Sequence, residues 1–192
     1  MKSAYLVLDM QNDLISSDGP GGASPLGLQV KERGIIARTA EAIRLARDSG
    51  SLVVFVRVGF SDDHREANPQ SQVFGAIKKN GMLKLSQWGG ALHADLGATE
   101  ADWQIVKHRV SPFFGTSLEA QLRLAGVQRI YCSGVSTQAV VQATVRDAHD
   151  RDFDVVLLED CCAAHSAEEH ANSVASIGRF CTVTDSVSAF AH

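Results

Sequence analysis

The chain has 192 residues, of which 45% are hydrophobic, and this is enough apolar surface to bury the core of one domain. We therefore predict that residues 1–192 form a single domain. Charged residues make up 21% of the chain and the formal net charge is -4, so no basic field exists to attract nucleic acid or an anionic membrane. A small-molecule partner is the remaining expectation.

The N-terminus and the cysteines both indicate a cytoplasmic protein. The apolar run 5–8 is closed by Asp9 and is too short for a signal peptide, and no run reaches the roughly eighteen apolar residues of a membrane span. The cysteines stand in or beside apolar segments at irregular spacing: Cys132, Cys161, Cys162 and Cys181. Such spacing fits neither a secreted disulfide framework nor a zinc site, so we expect reduced thiols.

Short β-branched runs separated by helical patterns predict an α/β protein with a parallel sheet. The first predicted strand covers residues 4–8, a helix covers about 30–49 and ends at Gly50, and a second strand covers 52–58. Residues 59–100 show no clean period and contain several breakers, among them Asn68-Pro69 and Gly89-Gly90. Irregular segments of this length shape pockets or interfaces.

Regular elements return after residue 100. Predicted strands cover 104–107, 129–133, 154–158 and 180–183. Predicted helices alternate with them: one from Thr116 or Ser117 to just before Gly126, one over 137 to about 150, and one over 166–177. No repeat or linker suggests a second domain.

Three segments end at the edge where parallel sheets bind ligands. The first strand is followed by Asp9, the third ends at Lys107, and the fourth leads into the turn 134–137. A carboxylate and an amine at the ends of apolar strands are partly buried, so we expect them to pair. Such a pair suits general acid–base chemistry, although a structural salt bridge explains the spacing equally well.

Several motifs carry a resemblance to a known family. They are LVLDMQND at 6–13, VKHR at 106–109, FFGTSL at 113–118, CSGVST at 132–137, ATVRDA at 143–148, LED at 158–160 and SAEEH at 166–170. In this order and spacing they resemble the isochorismatase-like hydrolase superfamily over nearly the whole chain. The resemblance implies a doubly wound, Rossmann-like sheet of six parallel strands in the order 3-2-1-4-5-6, with helices on both faces, and this agrees with the strands predicted above.

The resemblance also implies catalytic residues. In the cysteine hydrolases of this family an aspartate, a lysine and a cysteine act together on carbon–nitrogen bonds, and Asp9 and Lys107 match the first two. The cysteine belongs three residues after Thr137, where this chain has Val140. Valine offers no nucleophile, and the four cysteines lie elsewhere in the sequence.

Three interpretations of Val140 remain open. In one of them the fold binds a small molecule without turnover, and the other two concern an enzyme. Isochorismatases proper hydrolyse a vinyl ether without an acyl-enzyme, and isochorismate-type enol ether hydrolysis is the most compatible activity, with Asp9 as proton donor. Alternatively, the chain is a cysteine amidohydrolase inactivated at Val140, by nature or by engineering.

Other features are weaker. The turn resembles the family's oxyanion-binding segment, which implies a cis peptide between Val135 and Ser136. Gln11 is expected either in the substrate pocket or bonded to loop backbone, and Phe114 in the pocket.

The family's nicotinamidases hold a metal at Asp-x-His-x-x-His, but here Asp62-x-His64 lacks the second histidine, so a solvated loop is favoured and neither a metal nor a cofactor is expected. The resemblance further implies a homodimer or a higher homo-oligomer.

Overall fold

The computed structural model of the chain describes residues 1–191. Its strands are β1 (Ser3–Leu8), β2 (Leu52–Val58), β3 (Trp103–Lys107), β4 (Arg129–Val135), β5 (Asp154–Ala163) and β6 (Thr182–Thr184). Its α-helices are α1 (Asn12–Ile15), α2 (Pro25–Glu32), α3 (Ile35–Asp48), α4 (Gln72–Lys79), α5 (Leu118–Leu124), α6 (Gln142–His149), α7 (Ala167–Ile177) and α8 (Ser186–Phe190). Short 3-10 turns cover Trp88–Gly90 and Ala94–Leu96, and a π-helical turn covers Thr137–Val141.

All strand pairs are parallel, and the order across the sheet is β3-β2-β1-β4-β5-β6. This confirms the predicted α/β class and strand order. Strands β2 and β3 are added in turn on one side of β1, and β4, β5 and β6 are added in turn on its other side. The carboxyl ends of β1 and β4 therefore flank the switch point, where Leu8 is in register with Gly134.

Alternating strand residues supply a separate apolar core on each face of the sheet. On one face Leu6 and Leu8 pack with residues of α5, α6 and α7. On the other face Tyr5 and Val7 pack with residues of α2, α3 and α8. The central strand is covered on both faces, which explains why it is a continuous apolar run rather than an alternating one.

Three departures from the predicted boundaries affect the elements around the sheet's ligand-binding edge. The helix predicted over about 30–49 is two helices, α2 and α3, because Gly34 between them has a φ of 64°. The segment predicted to be irregular, 59–100, contains α4, whose N-cap Ser71 accepts a hydrogen bond from the amide of Phe74. Strand β5 continues to Ala163, five residues beyond its predicted end.

Within residues 1–191, none of the helices combines the length and the hydropathy that crossing a bilayer requires.

Candidate active site

Asp9 and Lys107 are brought together across β2. Asp9 directly follows β1, and Lys107 is the last residue of β3, in register with Val58 of the intervening strand. Strands two apart are separated by about 10 Å, so only a long side chain reaches from one to the other. Lys107 does so, and its Nζ lies 2.8 Å from Asp9 Oδ2.

This ion pair is almost completely buried. The side chains of Lys107 and Asp9 are 1% and 7% exposed. Lys107 Nζ also donates to the carbonyl oxygen of Arg109 at 3.0 Å, so two of the three ammonium protons are engaged and one remains free. Asp9 Oδ1 is buried and accepts no hydrogen bond of ordinary length from residues 1–191. The pair therefore leaves one acceptor and one donor available to a ligand.

Burial has the larger effect on the protonation of Asp9. Loss of hydration raises the pKa of this carboxyl, and the charge and hydrogen bond of Lys107, which lower the pKa, offset only part of the increase, so the pKa stays above its ordinary value of 3.8. The backbone of Asp9 is also unusual, with a φ of 57° in the left-handed region. A buried carboxyl with a raised pKa is suited to donating a proton.

The turn after β4 reaches the same edge of the sheet. Gly134 has a φ of 141°, and a Cβ there would lie 2.1 Å from the carbonyl oxygen of Leu8, so glycine is required where β4 passes β1. The peptide bond between Val135 and Ser136 is cis, the conformation that the resemblance implies. The π-helical turn Thr137–Val141 follows and presents Val140, which is 2% exposed.

A cavity of about 420 Å³ opens above these residues. Asp9, Lys107, Val135, Ser136 and Val140 all line it, so the structure brings five of the seven predicted site residues together. The rest of its wall is mostly apolar and comes from the end of β2 and from the loops and helices above the sheet: Leu14, Leu26, Val58, Val73, Phe74, Ile77, Leu83, Val110, Gln138, Ala139, His165 and Glu169.

A larger open groove, of about 870 Å³, lies between α2 and α3. The charged residues that line it, Lys31, Glu41, Arg44 and Asp95, are exposed. Because a buried acid–base pair faces the smaller cavity, we regard that cavity as the candidate active site.

The other two predicted pocket residues lie outside the cavity lining. The Gln11 side chain is fully buried, donates to the carbonyl oxygens of Val58 and Gly90, and accepts from the amide of Val58. The sequence predicted that Gln11 either lines the pocket or bonds to backbone groups, and these hydrogen bonds match the second role. Phe114 is 65% exposed on the surface.

The two residues of the incomplete metal motif, Asp62 and His64, are both hydrogen-bonded to other parts of the chain. The sequence favoured a solvated loop here. Instead, His64 is 3% exposed, and its Nε2 lies 2.7 Å from the carbonyl oxygen of Met82, so this histidine is packed in the interior. Asp62 accepts a hydrogen bond from the Ser86 hydroxyl. In the described part of the chain, no group of three or more His, Cys, Asp or Glu residues has the arrangement of a metal site.

The four cysteines, all within the described residues, lie outside the cavity lining. Burial raises the pKa of Cys161 to about 12 and that of Cys181 to about 11, and it raises the pKa of Cys132 and Cys162 as well. These thiols are therefore protonated at neutral pH and are poor nucleophiles.

Several cavity residues were not predicted from the sequence. Helix α4 contributes Val73, Phe74 and Ile77, and the start of α7 contributes His165 and Glu169. The Ser71 N-cap and the apolar spacing 73, 74 and 77 are signals that could have identified α4.

A partly buried hydrogen-bond chain ties α7 to the turn after β4. His170 Nδ1 lies 2.9 Å from Thr137 Oγ1, and His170 Nε2 lies 2.6 Å from Glu159 Oε1. Arg33 donates to the same Glu159 oxygen at 2.7 Å and to the carbonyl oxygen of Cys162 at 2.9 Å. The network fixes the turn that carries Ser136 relative to the helix that carries Glu169.

Comparison with known proteins agrees with this architecture. Residues 3–188 match the family model described as the isochorismatase domain. The chain is 35% identical over 173 residues to the isochorismatase family protein YecD of Escherichia coli, covering 90% of this chain and 85% of that protein. It is 31% identical to the ureidoacrylate amidohydrolase RutB of Variovorax paradoxus, covering 98% of this chain and 81% of that protein.

A solved structure extends the agreement to the fold. The isochorismatase family protein of Desulfovibrio vulgaris superposes with a TM-score of 0.86 at 23% identity, covering 98% of this chain and 96% of that one. The match over residues 3–188 and the two relatives above 30% identity span nearly the whole chain. The chain therefore belongs to the isochorismatase family of hydrolases.

Proposed function

We propose that this chain hydrolyses a small enol ether by acid catalysis, with Asp9 as the proton donor and without a covalent intermediate. The observation that carries the proposal is the buried Asp9–Lys107 pair, which faces a cavity where the expected nucleophile position is Val140. Acid-catalysed hydrolysis of an enol ether needs a proton donor and water, and it needs no thiol.

The reaction balances with these groups alone. The Asp9 carboxyl donates its proton to the terminal carbon of the enol ether, and the π electrons form the new C–H bond. Water then adds to the oxygen-bearing carbon, and its proton returns to the Asp9 carboxylate. In the resulting hemiacetal or hemiketal the C–O bond to the leaving group breaks, the hydroxyl proton passes to the departing oxygen, and an alcohol and a carbonyl compound are released. Isochorismate contains an enol ether of this type.

Lys107 has two roles in this scheme. Its positive charge stabilises the Asp9 carboxylate that forms when the proton leaves. Its third ammonium proton is free to bind an oxygen atom of the substrate near the reacting bond. The Val135–Ser136 turn lines the cavity beside this pair and would contact the same part of the substrate.

The experiment is a screen of enol ethers and small amides with the wild-type chain and three variants: Asp9→Asn, Lys107→Met and Val140→Cys. We expect the wild type to turn over at least one enol ether and Asp9→Asn to lose about 100-fold or more of that rate, the usual contribution of a general acid. Circular dichroism verifies that each variant is folded. Turnover that survives Asp9→Asn would contradict the proposal.

A second candidate function is favoured by Val140 itself. The chain is 31% identical to an amidohydrolase, and the family's cysteine position is here an apolar residue in the cavity wall. Under this alternative the chain is an inactivated amidohydrolase that binds its ligand without turnover. Amidase activity in Val140→Cys, together with no enol ether turnover in the wild type, would support it.

A further inference from the structure

The charge inventory of the cavity is short. Its charged and titratable residues are Asp9 and Lys107 at the buried end and His165 and Glu169 at the mouth. Among residues 1–191 no arginine lines it. Lys107 is the one lysine or arginine in this lining, and its side chain is only 1% exposed, with two ammonium protons already engaged in hydrogen bonds. A ligand with two carboxylates therefore has no second cation to pair with.

The mouth of the cavity is acidic. Glu169 lies at the start of α7 with its side chain 50% exposed, and its Oε2 is 3.8 Å from His165 Nδ1. The part of a ligand that extends from the reacting end toward solvent therefore meets a negative charge.

One polar atom in the cavity wall lacks a hydrogen-bond donor. Gln138 Oε1 is buried with no partner in the described part of the chain, and Gln138 lines the cavity. Because an unpaired buried acceptor costs free energy, a ligand that brings hydrogen-bond donors is favoured over one that brings only acceptors.

We infer that the natural substrate carries an uncharged or cationic hydrogen-bond donor, such as a hydroxyl or an amine, at the end distant from the reacting bond, and that Glu169 excludes carboxylates there. The inference rests on the proposed function for the reacting bond. It narrows the range of substrates. A dicarboxylate such as isochorismate would place an unpaired carboxylate beside Glu169 or in the apolar wall, and both placements cost free energy.

The test uses benzyl vinyl ethers that differ only in the para group, which is aminomethyl, hydroxymethyl or carboxylate. The aromatic ring suits the apolar wall, and the tail reports on the mouth. Turnover is measured at about pH 8, where an imidazole is ordinarily neutral. The corresponding saturated ethyl ethers cannot react in this way, and their dissociation constants are measured by NMR titration.

Glu169→Gln is the test variant, and Glu168→Gln is its matched control. Glu168 is the preceding residue on the same helix turn and is exposed, but it does not line the cavity. We expect kcat/KM of wild type to be about tenfold higher for the amine than for the carboxylate, a ratio typical of one charge about 5 Å away in screened solvent. Glu169→Gln should reduce this ratio to within about threefold, while Glu168→Gln should leave it unchanged.

The binding measurements separate this inference from the proposed function. If no vinyl ether reacts but the saturated amine still binds more tightly than the carboxylate, in a way that depends on Glu169, the proposed reaction fails and the inference stands. Equal affinity for amine and carboxylate, the same ratio in Glu169→Gln as in wild type, or no binding of any of the three ethers would overturn the inference.

Discussion

The two carboxylate oxygens of Asp9 have different surroundings. Oδ2 is held by Lys107 at 2.8 Å, whereas Oδ1 accepts no hydrogen bond of ordinary length within residues 1–191 and belongs to a residue of the cavity wall. Lys107 thus fixes the orientation of the carboxyl group while leaving one oxygen free. Burial raises the pKa of this carboxyl and the ammonium group lowers it, so the two groups set the pH range in which Asp9 holds its proton.

If Asp9 is the acid, the rate of enol ether hydrolysis should depend on pH with a defined sign. The protonated carboxyl is the active form, so kcat/KM should be highest at low pH and fall as pH rises through the raised pKa of Asp9. Because the charge of Lys107 lowers that pKa, Lys107→Met should move the fall to higher pH. The profile is measured with a neutral vinyl ether. A rate that instead rises with pH would indicate that Asp9 acts as a base.

Val140 permits a direct test of the nucleophile position. Its side chain lines the cavity, so Val140→Cys should react with a thiol-directed reagent, and the ammonium group of Lys107 in the same cavity favours the thiolate. Val141 is fully buried and does not line the cavity, so Val141→Cys is the matched control and should stay unreactive. Mass spectrometry of peptides separates labelling at these positions from labelling at Cys181. An inert thiol at position 140 would contradict its assignment as the nucleophile position.

Among the elements, the strands were predictable and some of the helices were not. Strand β1 is followed directly by Asp9 and β3 ends at Lys107, and the meeting of parallel strand ends was enough to predict the pairing of these two residues. Helix α4 was not found. It is only eight residues long, it contains Gly75, and Val73 is 56% exposed, so its apolar pattern is short and interrupted.

Glu169 was missed for a different reason. An acidic residue in the first turn after a serine N-cap is what any helix start favours, so local sequence gives it no functional meaning. Its place at the cavity mouth depends on how α7 docks on β5 and on the turn after β4. Such long-range placement is not encoded in the neighbouring residues.

The docking of α7 depends on His170. We expect His170→Ala to lower the free energy of unfolding by about 1–3 kcal/mol, because Thr137 Oγ1 loses a buried partner and Glu159 loses one of two. Asn172, exposed on the same helix, is the control, and Asn172→Ala should change stability by less than about 0.5 kcal/mol. Urea denaturation measures both values.

The same variant should also alter the cavity. Because His170 links the turn of Ser136 to the helix of Glu169, His170→Ala should reduce the selectivity between the amine and carboxylate tails as well as stability. A loss of stability with full retention of that selectivity would show that His170 supports the core alone and does not position the cavity mouth.

At the scale of the whole molecule, the site lies between β1 and β4, where the order in which strands are added to the sheet reverses. Asp9 and the turn 134–137 extend from the neighbouring strands β1 and β4, whose chain connections run to opposite sides of the sheet, so a crevice between their loops follows from topology. The fold is therefore sufficient to explain the position of the cavity. The part of its wall above the sheet comes instead in part from α4 and α7, and the proposed selectivity rests on these helices.

The buried acid should also affect the stability of the whole fold. The pKa of Asp9 is raised in the folded state, so the folded chain binds this proton more tightly than the unfolded chain does. That stabilisation is fully present below the ordinary value of 3.8 and is lost as pH rises through the raised pKa. Asp9→Asn resembles the protonated form at every pH. The free energy of unfolding of wild type minus that of Asp9→Asn should therefore decrease as pH rises.

Urea denaturation from about pH 4 to about pH 8 measures this difference, and Glu159 supplies a control of opposite sign. Burial raises the pKa of Glu159, but the hydrogen bonds from His170 and Arg33 outweigh it and hold the pKa below the ordinary 4.5. The stability that Glu159 contributes is therefore lost as pH falls, and the difference between wild type and Glu159→Gln should increase with pH. If the Asp9→Asn difference also increased with pH, the ion pair with Lys107 would outweigh burial, and Asp9 would be ionised in the resting protein.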